Sequence, residues 1–316
     1  MDADDLLIKN AYAALLTPVH AGVYDFFTMR ILYISFLLSV VFSVSCSGAG
    51  NVPAATVAGA VHAPWNDMTA TERRHFDRFV NREVSPCGKV TLAQASMNPD
   101  SCPVVPFAVR YVAFRTMEGD TQEELEAAYL RRYGMGYLSE IDVSGSPVLG
   151  NTEAPVKIVV FSDFNCPFCS KTARLLKEMQ QKYNPHVSVT FKFFPLDSHR
   201  NSRPMSHAAA AAALQNCFWN FHDLLFENRL EYSTSLMKDI AMEAGCDTDK
   251  LVGDMEGLKV RAQVRADLDQ AEKLRLRGTP SLFVNSRYLE EGFRGLEVRI
   301  REELVRLGIA WNPQSS

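Results

Sequence analysis

The stretch Phe161-Ser162-Asp163-Phe164-Asn165-Cys166-Pro167-Phe168-Cys169 decides the fold of this 316-residue chain. Residues 156–161 form an apolar run of strand length, as a central strand covered on both faces requires. Behind the first cysteine, Pro167 suits the first turn of a helix, and Phe168, Thr172, Leu175, Leu176 and Met179 repeat at helical spacing. The two cysteines therefore sit at a strand-to-helix junction. Downstream, Val187, Val189, Phe191 and Phe193 alternate with Ser188, Thr190 and Lys192, the period of another strand. A long helical stretch follows, with an alanine run at 208–213, an aromatic segment at 218–226, and 236–244 closed by Gly245. It continues with Val260, Val264, Leu268 and Ala271 at turn spacing. Residues 281–284 and 287–289 flank Asn285-Ser286 as a hairpin, and Leu296, Ile300, Leu304 and Leu307 mark a last amphipathic helix. The order is β, α, β, a helical block, β, β, α, which is a mixed α/β fold.

A thiolate, not a thiol, attacks a disulfide, so a reactive cysteine needs surroundings that favour its charge. The start of a helix supplies unpaired N–H groups and the positive end of the helix dipole. Cys166 is accordingly the predicted nucleophile. Lys171 and Arg174 on the next turns are expected to add to the field. Cys169, one turn along, is placed to attack a mixed disulfide on Cys166 and release the partner. A zinc site requires four ligands, usually from a second close pair, and the sequence has no second CxxC. Attachment of a c-type haem requires CxxCH, whereas Ser170 follows Cys169. The seven histidines show neither HxxxH nor HExxH spacing, so neither a metal nor a cofactor is expected. Trp219, Phe221 and Phe226 read as core.

Taken with Gly278-Thr279-Pro280, the nine-residue stretch resembles the DsbA-like branch of the thioredoxin superfamily. Phe194-Pro195-Leu196 with His199, the alanine-rich helix, and Phe218-Trp219 followed by Phe221-His222-Asp223-Leu224-Leu225-Phe226 are similar to that branch as well. The resemblance spans about 150–307. It implies a thioredoxin-like fold with an inserted helical block. It also implies a cis bond before Pro280, which packs beside the active-site pair, and a Thr279 backbone that binds extended substrate. Pro167 and Phe168 complete the neighbourhood. Two positions depart from the pattern. Phe168 replaces the histidine of the family's namesake, which removes one polar contribution to a very low thiol pKa. Val160 stands where many relatives carry a buried acid that moves protons to the second cysteine, and Asp163 is the nearest alternative.

The rest of the chain sets the compartment. Met29-Arg30 followed by the apolar run 31–45 reads as an export signal, too short to span a bilayer comfortably as a helix. Phe42-Ser43-Val44-Ser45-Cys46 resembles a bacterial lipobox, with Cys46 as the lipidated residue. The acidic start Met-Asp-Ala-Asp-Asp suits no export signal, so translation is expected to begin at Met29. Residues 47–64 read as a linker. Capping boxes at Thr69/Glu72 and Thr121/Glu124 open two helices of a small, mainly helical N-terminal module at 65–140, and 150–312 is the thioredoxin-like domain. In an oxidising envelope, Cys87 and Cys102 read as a structural disulfide, with a second redox pair as the alternative. Cys217 and Cys246 form either another bridge or two buried thiols. Basic and acidic residues number 33 and 37, and no basic run suggests a nucleic-acid partner. The expected protein is thus a periplasmic or envelope thiol-disulfide oxidoreductase. Its expected partners are cysteine-containing exported proteins and a membrane protein that reoxidises it. An isomerase or reductase kept reduced, dimeric through the N-terminal module, is one alternative. A non-catalytic peptide-binding module is the other.

Overall fold

A computed structural model describes residues 51–229 and 231–310, all within one compact unit. The expected start at Met29, the export signal and the lipobox at Cys46 lie outside the described residues.

Five strands form one sheet in the order β1-β3-β2-β4-β5: β1 Val148–Leu149, β2 Val156–Ser162, β3 Val187–Phe193, β4 Ser281–Val284 and β5 Arg287–Tyr288. β2 and β3 run parallel from Val156 opposite Val187 to Ser162 opposite Phe193, while β4 lies antiparallel on the other side of β2. The β4–β5 turn places Asn285 and Ser286 at positive φ, as a tight hairpin demands.

One face of the sheet carries Val156, Ile158, Val160, Val187, Val189, Phe191 and Phe193. It packs on the helix Pro167–Lys182 and on the final helix Leu296–Arg306. The opposite face carries Val159, Phe161 and Phe283, covered by Ala271 and Ile141. This is the thioredoxin-like sandwich expected from the sequence. Five helices fill the stretch between β3 and β4, namely Ser202–Ala213, Phe218–Glu227, Thr234–Ala244, Thr248–Met255 and Leu258–Lys273. Gly245 takes the left-handed conformation that ends the third of these.

The alternation along β3 suggests a strand with one wet face, yet all seven residues are buried. The polar face is covered because Lys192 meets Asp267 at 2.5 Å, with side chains 3% and 0% exposed. Lys192 also donates to the carbonyl of Asp142 and to Ser146 Oγ, and Asp267 accepts from the N–H of Phe193. The last of the five helices is thereby fixed to the strand that leads into the site.

The N-terminal part has its own core of Phe76, Phe79, Val80, Leu92, Val105, Val109, Val112, Leu125 and Tyr129. The helices Ala70–Arg82 and Gln122–Tyr133 begin with the capping boxes of Thr69 and Thr121. The linker assignment for 47–64 needs correction. Residues Ala54–Ala60 are a helix whose Ala54, Val57 and Ala58 enter this core. Asn81 pins its start by hydrogen bonds to both backbone groups of Val52. Small residues at i, i+3 and i+4 make a close-packing stripe that a search for bulky amphipathic period passes over. The boundary at Gly150 also moves, because β1 already belongs to the sheet and Ile141 packs beneath it. Guanidinium–carboxylate contacts join the two parts. Arg132 Nη2 reaches Glu302 at 2.6 Å and Arg115 Nη1 reaches Glu290 at 3.3 Å, and a hydrogen bond from Arg287 to the carbonyl of Gly134 adds to them.

Asp267→Ala leaves the Lys192 ammonium buried without its carboxylate. A loss of about 3–5 kcal/mol is expected, read from the midpoint of denaturant unfolding. Combining it with Lys192→Met should recover most of that loss.

Candidate active site

The chain leaves β2 at Ser162, turns through Asp163-Phe164-Asn165, and enters the helix Pro167–Lys182 with Cys166 as its N-cap. Pro167 occupies the first helical position, where its missing N–H costs nothing. The turn is held from within. Buried Asp163 accepts from the N–H of Asn165 at 2.8 Å through Oδ1. Its Oδ2 accepts from the N–H of Leu196 and lies 2.8 Å from His199 Nδ1. Asn165 in turn donates to the carbonyl of Arg229 and accepts from the N–H of Asn201. The active-site turn is thus tied to the β3 exit and to the helical block.

Both cysteines are free and buried, at 4% exposure for Cys166 and 1% for Cys169. The Cys166 thiol is lowered to about 5, chiefly by the hydrogen bond from the Cys169 thiol. Burial opposes this, while Thr279 and the N–H groups of Cys169 and Phe168 assist. Thr279 Oγ1 is buried without another partner, which leaves its proton for the Cys166 sulfur. Cys169 moves the other way: burial, then the neighbouring Cys166, push it well above the ordinary thiol range. The pair therefore divides into one thiolate and one thiol near neutral pH.

Cys166 Sγ lies 3.5 Å from the carbonyl oxygen of Thr279, and the peptide bond between Thr279 and Pro280 is cis. The structure thus brings Cys166, Cys169, Thr279 and Pro280 to one place. Pro167 and Phe168 are exposed beside it, Phe168 at 56%. Phe168 therefore leaves the buried stripe of its helix, which runs through Cys169, Thr172, Leu176 and Met179. Its ring carries the Lys171 ammonium above it. The Cys169 thiol, Thr279 and the N–H groups at the helix start are the main causes that lower Cys166, and neither Lys171 nor Arg174 is among them. Asp163 does not replace the acid absent at Val160, since both its carboxylate oxygens are engaged on the turn side and only its N–H reaches Cys169 Sγ. Its role as the anchor of the turn was not readable from its position in sequence, because Leu196 and His199 lie more than thirty residues away.

The other four cysteines among the described residues form the disulfides Cys87–Cys102 and Cys217–Cys246. No group of histidines, cysteines and carboxylates among the described residues could hold a metal ion.

Residues 142–296 match the family model described as Thioredoxin. Over that span the chain is a thioredoxin-like domain. Among curated proteins, the Na(+)/H(+) antiporter NhaA 1 of Mycolicibacterium gilvum is 30% identical over 197 residues, 61% of this chain and 31% of that protein. The chain thus spans under a third of the antiporters it matches, and no helix among its described residues is long and apolar enough to cross a membrane. A probable disulfide bond formation protein D of Bacillus anthracis is 28% identical over half of this chain and 78% of its own length. The solved structure of oxidised BdbD from Bacillus subtilis aligns with a TM-score of 0.48 and 24% identity, covering 53% of this chain and 97% of that one. The family-model match begins before β1 and includes the helical block.

Alkylation of Cys166 in the reduced thioredoxin domain should be half-maximal near pH 5. It should be fast above that value, where the thiolate persists, and fall away below it. Cys169→Ala removes the principal donor, so the midpoint should rise toward the ordinary value of about 8.5. A midpoint unchanged in that variant would show that another group stabilises the thiolate.

Proposed function

We propose that this chain is an exported thiol-disulfide oxidoreductase that exchanges disulfides with cysteines of envelope proteins and runs chiefly as an oxidase. The observation that carries the reading is the low pKa of Cys166 beside the buried, protonated Cys169. A thiolate stabilised in the reduced form makes the disulfide form easier to reduce, so the oxidised pair tends to accept electrons from a substrate dithiol.

In that direction a substrate thiolate attacks Cys166 Sγ, the Cys166–Cys169 bond breaks, and Cys169 leaves with a proton. A second substrate thiolate then attacks the substrate sulfur of the mixed disulfide. Cys166 leaves as a thiolate, and the substrate carries away a disulfide. The exposed ring of Phe168 and the backbone of Thr279 flank the attacked sulfur, where an extended peptide has both an apolar contact and main-chain hydrogen bonds. The name of the Bacillus anthracis relative, a disulfide bond formation protein, agrees with this direction. The export signal and the lipobox cysteine Cys46 belong to the same reading, since substrate disulfides persist only in an oxidising compartment. A membrane partner that reoxidises the pair completes the cycle.

The reduction potential should lie between about −270 and about −120 mV, the values of thioredoxin and of DsbA. A Cys169→Ser variant should accumulate mixed disulfides with envelope thiol proteins, because it keeps the nucleophile and loses the resolving group. A potential below about −300 mV with nothing trapped would instead assign the pair a structural role. A reducing potential with a dimer on gel filtration would favour the isomerase or reductase.

A further inference from the structure

Cys169 changes protonation in every exchange, yet it is 1% exposed and its thiol is held well above the ordinary range. A cavity of about 160 Å³ reaches it, and Cys166 is not part of the lining. Ser162, Thr172, Trp219, His222 and Asp223 line that cavity together with Cys169. Thr172 Oγ1 and Trp219 Nε1 are both buried without a hydrogen-bond partner. The wall is otherwise largely apolar, with Val160, Leu176, Val189 and Phe191, so these unpartnered groups are the points at which water can be held.

His222 is 4% exposed, ringed by Phe164, Phe191, Phe218, Trp219 and Phe226. Its Nδ1 lies 2.9 Å from Asp223 Oδ1. Asp223 is lowered by His222 and Lys177 despite its burial, so it stays ionised and can only accept. Nδ1 therefore carries the hydrogen, and Nε2 keeps its lone pair. Burial lowers His222 itself, which keeps the ring neutral, while Asp223 opposes that shift. The charged and titratable groups facing it are Asp223 on its own helix, and Lys177 and Cys169 on the cysteine helix. Lys177 pairs with Asp223 where both meet solvent, with side chains 51% and 37% exposed.

We infer that His222, held by Asp223 and acting through water in this cavity, is the proton relay of Cys169. The inference rests on the exchange chemistry proposed above. When Cys169 attacks, its proton passes through cavity water to His222 Nε2. The sulfur lone pair forms the Cys166–Cys169 bond, the bond from Cys166 to the partner sulfur breaks, and that electron pair leaves on the partner thiolate. Asp223 stabilises the imidazolium, which loses its proton toward solvent. When Cys169 is the leaving group, the same chain runs backward.

A two-step assay separates the two cysteines. Reduced protein treated with an aromatic disulfide, dithiobis(nitrobenzoate), releases one coloured thiolate as Cys166 attacks and a second as Cys169 resolves. Expected is an unchanged first release, with the second slowed at least tenfold in His222→Gln and measurably in Asp223→Asn and Thr172→Val. The pH at which the second release is half-maximal should move upward in all three. His222 lies in the core, so Asp223→Asn at the surface and the near-isosteric Thr172→Val carry the test if His222→Gln does not fold. A second release at the wild-type rate and pH profile in those two variants overturns the relay. Absence of any first release from the unsubstituted protein would instead overturn the exchange function beneath it.

Discussion

The hydrogen bond from the Cys169 thiol to the Cys166 sulfur is the contact on which the site depends. It lowers one pKa and raises the other, because the proton that stabilises the Cys166 thiolate is the proton Cys169 must keep. That division requires the two sulfurs one helical turn apart, with the first at the helix start and the second in the core. Each of those requirements is met by a different part of the fold. The β2 exit aims Cys166 at the N-cap position, Asp163 and Asn165 hold the turn, and the sheet face with the final helix buries Cys169. The helical block does more than fill space, since its Phe218–Glu227 helix brings His222 and Asp223 to the cavity behind the second sulfur.

Much of the fold is written in local pattern. The β2 run, the proline after Cys166 and the hairpin at Asn285-Ser286 are each specified by neighbours in sequence, and each occurs where that specification places it. What escapes sequence reading is decided by distant partners. β1 is two residues long and exists only because β3 offers it an edge. The helix Val105–Met117 begins with a proline at its second position and is apolar on most of its circumference, so it lacks the stripe that announces an amphipathic helix. Lys192 looks like the solvent side of a strand until Asp267, seventy-five residues on, turns it into a buried ion pair.

The same contrast runs through the site. Two cysteines with a strand before and a helix after are legible as a reactive pair because their chemistry is encoded in the helix start itself. The second layer is not encoded that way. His199 and Asp163, or His222 and Thr172, stand at separations that carry no periodic signal, and only folding brings them together. Lys171 and Arg174 show the reverse error. They are near in sequence and suitably charged, yet both are exposed to solvent. Screening there leaves short hydrogen bonds at the sulfur in control.

In the proposed exchange Cys166 meets its partner beside the exposed Pro167 and Phe168, where solvent can supply or remove a proton. Cys169 has no such freedom, and its burial is also what keeps the thiolate on Cys166. Exposing Cys169 to ease its proton transfer would weaken the desolvation that raises its pKa, and with it the asymmetry of the pair. Water held in the cavity beside Cys169, as inferred above, resolves that conflict, because a few ordered waters can move a proton while the sulfur stays out of bulk solvent. Val160, which lines this cavity where an acid would add a second buried charge, is consistent with such a solution. An ionised carboxylate there would raise Cys169 still further. A neutral imidazole, with the charge of Asp223 balanced at the surface by Lys177, does not.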